Sequence, residues 1–266
     1  MLFLFPSLFW GYFAIAVGGA LGFLLPRIFS EQPILWQHQL LCLVWIFGWV
    51  IVFTLLAKKR EARFLTQLNN CQVAPFIALY EQTLTRPLRQ KQQTLCLLNL
   101  SCGYLTVGNV QGALAILYRV RLDFGTRPFG LLCQGLYYNN LCDAYLQLGD
   151  VARAKQSLDY LKITIDHPGW GVTDRSALLR SYQANQAELA AYNGDYVQAE
   201  AVFLSLLQSG YTPLHQVSQC HNLAKLYLAQ GQRDKAEEHL QFAAAYGGDT
   251  YYAAWARQIL NTPVST

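Results

Sequence analysis

A short sequence motif that occurs four times, which we call the phrase, constrains the fold of this chain more than any other feature. In each copy an Asn stands nine residues before a Gly, a small residue stands seven before it, and an Ala follows five after it. Agreement in spacing at this level indicates a repeat, and a repeat decides the architecture before any other pattern is considered. The four copies cover residues 99–108, 140–149, 185–194 and 222–231.

Each copy predicts a helical hairpin. An apolar helix precedes the Gly, which can adopt the left-handed conformation that ends helices. The next residue is Asn109, Asp150, Asp195 or Gln232, and Asn and Asp are good N-caps for a new helix. Apolar residues then recur at intervals of three and four, which is typical of one face of a helix.

These residues resemble the tetratricopeptide repeat family, whose unit is a helix-turn-helix of about 34 residues. The resemblance covers residues 92–246 and implies an all-α, right-handed solenoid of about four repeats. The glycines are 41, 45 and 37 residues apart, so the units are longer than the family norm. The third copy carries Ala190 where the other three have Tyr.

Two apolar runs near the N-terminus predict a transmembrane hairpin. Residues 2–25 contain no charged side chain, and a second run lies within residues 35–57. About 20 apolar residues span a bilayer core. A cleaved signal peptide is the rival for the first run, but the start Met1-Leu-Phe-Leu carries no side-chain charge, which favours a retained helix. The basic cluster at residues 58–63 places the N-terminus and the repeats in the cytoplasm.

Two features of this hairpin have more than one interpretation. Ala14, Gly18 and Gly22 form a small-residue stripe, which suits either packing within the hairpin or dimerisation. The basic cluster either determines topology with some attraction to anionic lipid, or forms a dedicated lipid site.

The remaining segments predict ends and interruptions of the repeat array. We therefore divide the chain into a hairpin (1–57), a linker with a degenerate half-repeat (58–91), the repeats (92–248), and a capping helix with a tail (249–266). Terminal caps are needed because the end faces of stacked repeats are otherwise apolar and wet. Trp170, in the longest loop, either packs over the second and third units or contacts a partner.

Composition and motifs favour no enzymatic site. The formal net charge of +4 is small and gives little support to nucleic-acid binding. Phosphate loops, nucleophile elbows and zinc-binding His motifs are absent from the sequence. His221 and His239 lack neighbouring ligands, so we expect structural histidines rather than a metal site. We expect no catalytic residues and no cofactor, and the seven cysteines suit a reducing compartment.

The main candidate binding residues are the asparagines that begin the four phrases, which we call the asparagine column: Asn99, Asn140, Asn185 and Asn222. A side-chain amide offers a donor and an acceptor together, so it can bind both groups of one peptide unit. The family resemblance implies that this column lines a concave groove holding an extended peptide. The alternative is that these amides persist by common ancestry or bond neighbouring helices. The predicted groove residues are Asn99, Asn139, Asn140, Asp143, Asn185, Glu188, His221, Asn222 and Lys225.

The function that follows is a membrane-anchored scaffold or adaptor whose groove binds protein or peptide segments. The alternative is an accessory subunit or assembly factor of a membrane enzyme or transporter, with the hairpin as the contact surface. In either case we expect an integral membrane protein of a bacterial plasma membrane. Its partners would be a protein or peptide and, through the hairpin, membrane lipid, but no nucleic acid.

Overall fold

The computed structural model describes residues 18, 44–49, 51–52, 65–173, 175–210 and 212–262. The chain divides into two units, Met1–Leu65 and Thr66–Thr266. In the first unit residues 44–49 and 51–52 are helical, with apolar side chains that are mostly exposed. The predicted spans at 2–25 and 35–57 lie largely outside the described residues. Within the described part, no helix has the length and apolar character needed to cross a membrane.

All regular structure in the described residues of the second unit is helical, which confirms the all-α prediction for this part of the chain. Residues 65–69 form a short helical stretch, and a single 3-10 turn covers Pro168–Trp170. The α-helices are α1 (Val73–Leu84), α2 (Gln90–Thr106), α3 (Val110–Leu117), α4 (Pro128–Gln147), α5 (Val151–Asp166), α6 (Ser176–Tyr192), α7 (Tyr196–Gln208), α8 (Pro213–Ala229), α9 (Arg233–Tyr246) and α10 (Tyr251–Asn261).

Four helical hairpins form where the phrase predicts them, as α2–α3, α4–α5, α6–α7 and α8–α9. The Gly of each phrase has a positive φ, between 71° and 84°, a backbone region that side chains with a Cβ avoid. The following Asn109, Asp150 and Asp195 cap the second helix by accepting a hydrogen bond from a backbone N–H three residues on. Both predictions for these turns are confirmed.

Small residues at fixed positions allow the two helices of each hairpin to pack closely. The Ala five residues after each Gly is fully buried in all four copies, and the small residue seven before the Gly is at most 2% exposed. A Leu or Phe one turn after the Ala is also buried, and it fills the space beside these contacts. These large residues are Leu117, Leu158, Phe203 and Leu240.

The loop between the second and third hairpins is held by Trp170. This side chain is 2% exposed, and its Nε1–H donates a hydrogen bond to the Thr164 carbonyl at 2.7 Å. Packing therefore accounts for Trp170, and the alternative of a partner contact is not supported because the ring is not accessible.

The two ends of the second unit meet in a contact that we call the end clasp, formed by Cys71, Val73, Ala74, Gly248 and Asp249. The Asp249 carboxylate accepts hydrogen bonds from the backbone N–H groups of Val73 (2.6 Å) and Ala74 (2.7 Å), at the start of α1. The Asp249 N–H donates to the Cys71 carbonyl at 3.3 Å. A carboxylate at a helix N-terminus satisfies unpaired donors and interacts favourably with the helix dipole. Helix α10, at the position predicted for a cap, therefore begins beside the first helix of the same unit.

Candidate functional site

The first helices of the four hairpins, α2, α4, α6 and α8, share one face of the second unit. Together with the start of α10 they line a cavity of about 280 Å³, which we call the inner cavity. Cys102 and Thr106 come from α2, and Tyr251 and Tyr252 from α10. The cavity thus draws on every hairpin, and the end clasp determines where α10 lies along it.

Five of the predicted groove residues line the inner cavity: Asn139, Asp143, Asn185, Glu188 and Asn222. The amides of Asn139 and Asn185 are connected across neighbouring hairpins, because Asn185 Nδ2 donates to Asn139 Oδ1 at 3.2 Å. The side-chain amide of Asn222, by contrast, makes no hydrogen bond with any described residue. A ligand that offers one acceptor and one donor could therefore bind at Asn222 without displacing an internal partner.

Two members of the asparagine column, Asn140 and Asn99, do not line the inner cavity, which corrects the prediction that the whole column lines one groove. Asn140 is 3% exposed, and its Nδ2 donates to the Leu98 carbonyl (2.9 Å) and to Ser101 Oγ (3.0 Å). Asn99 Nδ2 donates to the Tyr80 hydroxyl at 3.0 Å. Asn140 thus ties α4 to α2, and Asn99 ties α2 to α1; neither residue lines the inner cavity.

Three charged side chains interact beside the inner cavity: Asp143 and Glu188 line it, whereas Lys225 does not. Lys225 Nζ donates to Glu188 Oε1 at 2.7 Å, while Asp143 Oδ1 accepts from the Gln147 amide at 3.1 Å. Burial and the Glu188 charge raise the pKa of Asp143 to about 6, against the lowering effects of Gln147 and Lys225. Lys225 is thus committed to Glu188, and Asp143 has no cationic partner at hydrogen-bond distance among the described residues.

His221 is buried behind the cavity wall rather than lining it. Its ring packs against Tyr251, Tyr252 and Trp255, with centroid separations of 5.3, 5.0 and 4.6 Å. Burial, with a contribution from Lys225, lowers the pKa of His221 to about 3. The imidazole therefore stays neutral at physiological pH and anchors α10 to α8; the prediction that His221 lines the binding groove is wrong, because its ring is buried behind the wall.

Several residues that line the inner cavity were not predicted from the sequence. Ser218 and Gln219 precede Asn222 by four and three residues on α8, and Ser181 precedes Asn185 by four on α6. Side chains three and four apart share one face of a helix, so extending the asparagine column by that spacing would have found them. Tyr251 and Tyr252 carry no such signal, because their place in the cavity depends on the end clasp.

The remaining reactive groups do not form a second site. In the described residues no cluster of His, Cys, Asp and Glu could hold a metal ion. The six cysteines described are free thiols. Burial raises the pKa of Cys102 to about 11, so this thiol, which lines the cavity, is protonated and a poor nucleophile at neutral pH.

Comparison with known proteins supports the repeat assignment. The family model described as Tetratricopeptide repeat matches residues 218–241, which cover most of α8, the turn at Gly231 and the first part of α9. No curated protein matches the chain, and no solved structure matches it either. The match and the paired helices support the presence of tetratricopeptide-like repeats in the chain, and repeats of this kind suggest a role in protein–protein interaction.

Proposed function

We propose that the protein is a membrane-anchored scaffold or adaptor that holds an extended segment of another protein in its inner cavity. The observation that carries this proposal is the pair of amides at Asn185 and Asn222. They come from consecutive hairpins, line the same cavity, and keep hydrogen-bonding groups that no described residue occupies. An extended backbone presents N–H and C=O groups at regular intervals, so amides on successive hairpins can bind successive peptide units.

Membrane anchorage is the second part of the proposal. It rests on the two apolar runs of the sequence, residues 2–25 and 40–57, neither of which contains a charged side chain. The basic cluster at residues 58–63 favours a cytoplasmic repeat domain. Such an anchor would hold the cavity close to the membrane surface, where its partners would be membrane proteins or proteins recruited to them.

The alternative function is an accessory subunit or assembly factor of a membrane enzyme or transporter, with the N-terminal hairpin as the contact surface. The observation that favours it is Gly18, which is exposed and has open space where a Cβ would be. A small residue on an exposed helix face permits close approach of another transmembrane helix. The two functions differ in which unit of the chain binds the partner.

Affinity capture of the full-length protein after crosslinking in native membranes tests both functions. Replacing Asn185 and Asn222 together by Ala should weaken capture of the partner by roughly ten- to hundred-fold. This corresponds to about 1.5–3 kcal/mol for two to four lost neutral hydrogen bonds. The matched control replaces Asn193 and Asn261 by Ala, since both are exposed asparagines away from the cavity. Capture that survives the cavity variant but is lost in Gly18→Leu would favour the accessory-subunit function instead.

A further inference from the structure

We propose that the inner cavity receives a cationic side chain, lysine or arginine, from the bound segment, with the Asp143 carboxylate as its partner. This inference rests on the proposed function, because it assigns the chemistry of the segment that the cavity would hold. It concerns a different group from the asparagines, which bind any backbone and select no side chain.

The first observation is the state of Asp143. One oxygen accepts from the Gln147 amide, and the nearest cation, Lys225, donates to Glu188 instead. The three charges that meet here therefore sum to one negative charge when Asp143 is ionised. Asp143 is half-buried, and a desolvated carboxylate without a cationic partner destabilises the folded state. An incoming ammonium or guanidinium would remove that cost, and it would add a charge-assisted hydrogen bond.

An independent observation is the Gln219 side chain. Gln219 is 4% exposed and lines the inner cavity, but its Oε1 accepts no hydrogen bond from any residue that the structure describes. A buried acceptor without a donor is costly, so the cavity lacks a donor at a second place as well. A bound segment would supply both missing donors, one from the cationic side chain and one from a backbone N–H.

The other ionisable groups around the cavity are compatible with a cation. Arg180 lines the cavity near His215, whose pKa is lowered by burial and by the Arg180 charge, whereas the charges that act on Asp143 are those of Glu188 and Lys225. Burial raises the pKa of Tyr252, and the Asp143 and Glu188 carboxylates raise it further. The phenol of Tyr252 therefore remains neutral near these carboxylates and adds no competing charge.

Two pairs of capped tripeptides test the proposal on the full-length protein. Ac-Ala-Arg-Ala-NH2 is compared with its citrulline analogue, which has the same shape without the charge, and Ac-Ala-Lys-Ala-NH2 is compared with its norleucine analogue. Saturation-transfer NMR, with Kd values from titration, should show at least one charged peptide binding ten-fold or more tightly than its neutral analogue at pH 7.5. Asp143→Asn should abolish that preference. The matched control Asp159→Asn should keep it, because Asp159 is an exposed residue of α5 paired with Lys155.

The dependence of this preference on pH gives a second readout. Asp143 has a pKa of about 6 in the folded protein, so its carboxylate is mostly ionised at pH 7.5 and mostly protonated at pH 5. The preference for the charged peptide should therefore fall about ten-fold between these pH values, as the ionised fraction does. Tyr251, Tyr252 and Cys102 remain protonated throughout, because burial raises the pKa of each of them. Any dependence of peptide binding on pH that remains in the Asp143→Asn variant measures the contribution of His215 protonation.

Three results would overturn the proposal: no binding of either charged peptide at millimolar concentration, equal affinity for charged and neutral peptides, or a preference that survives Asp143→Asn. Failure here is distinguishable from failure of the proposed function. If the peptides show no charge preference while the Asn185 and Asn222 variant still loses its partner, only the cation site is wrong. If the preference is present but the partner is retained, the cation site stands and the proposed function fails.

Discussion

Replacing Asp249 by Ala should lower the thermal midpoint of the helical unit by about 5–15 °C. The carboxylate accepts two short hydrogen bonds from the start of α1, 175 and 176 residues earlier in the chain. Hydrogen bonds to charged groups contribute roughly 1.5–3 kcal/mol each, and partial exposure of this pair reduces the total to about 2–4 kcal/mol. For a domain of this size each kcal/mol shifts the midpoint by roughly 2–4 °C.

Thiol labelling locates the effect of Asp249→Ala at the end clasp. Cys71 is 1% exposed and adjoins the clasp, whereas Cys133 is fully buried within the second hairpin. Opening of the clasp should accelerate modification of Cys71 and leave Cys133 unchanged, as read by mass spectrometry of the separate peptides. Asp159→Ala is the matched control, since it removes an exposed carboxylate. Equal midpoints for the two variants would show that the clasp contributes little to stability.

Gly248→Ala provides an independent test of the same contact. Gly248 has a φ of 55°, and a Cβ there would collide with the Cys71 carbonyl oxygen. The substitution therefore strains the clasp without removing the Asp249 carboxylate. We expect the same acceleration of Cys71 labelling as in Asp249→Ala.

Asn140→Ala should destabilise the protein by about 2–3 kcal/mol, whereas Asn222→Ala should change its stability by less than about 0.5 kcal/mol. Loss of the Asn140 amide leaves Ser101 Oγ without a donor in a buried interface, and it removes one donor from the Leu98 carbonyl, which still accepts from the Ser101 hydroxyl. Asn222 faces the cavity and has no such partner among the described residues. Chemical denaturation with one probe for both variants measures the difference.

Partner capture should rank these two variants in the opposite order. Asn222→Ala should weaken binding while the fold is intact. Asn140→Ala should weaken it only to the extent that the protein unfolds, so lowering the temperature of the assay should restore its binding. Equal destabilisation by the two substitutions would show that the whole asparagine column ties helices together, and the cavity would then lose its leading ligand-binding group.

The local parts of this fold could be predicted because each depends on a few neighbouring residues. The glycine turn at Gly149 and the N-cap at Asp150 follow from backbone sterics and from the hydrogen-bonding capacity of one side chain. The buried Ala154 follows from helical spacing in the same way. These elements recur in four copies, which makes an accidental pattern improbable.

Which members of the asparagine column face the cavity could not be predicted from the sequence. Asn140, Asn185 and Asn222 occupy the same position in their phrases, yet Asn140 is buried against α2 and Asn222 faces the cavity. Sequence position determines the face of the helix on which an amide lies. Whether the amide contacts the preceding hairpin depends on how the two hairpins pack, and the residues of the phrase do not determine that packing.

The end clasp has no sequence signal at all. Whether the start of α10 reaches α1 depends on the summed rotation of four hairpins, and a small difference in each rotation accumulates along the array. The sequence therefore predicts that Asp249 belongs to the capping segment, but it does not predict the contact of Asp249 with α1. The inner cavity, with Tyr251 and Tyr252 in its wall, is a consequence of the same long-range contact.

The most direct test of the central claim, that the inner cavity holds a segment of a partner protein, is site-specific photo-crosslinking in native membranes. A diazirine amino acid is placed at Ser181, which lines the cavity, or at Ile163, which is 65% exposed and lies outside it. We expect crosslinks from Ser181 to one continuous segment of a partner, their loss in the Asn185→Ala and Asn222→Ala background, and none from Ile163. Crosslinks to the partner from Ile163 with none from Ser181 would contradict the claim.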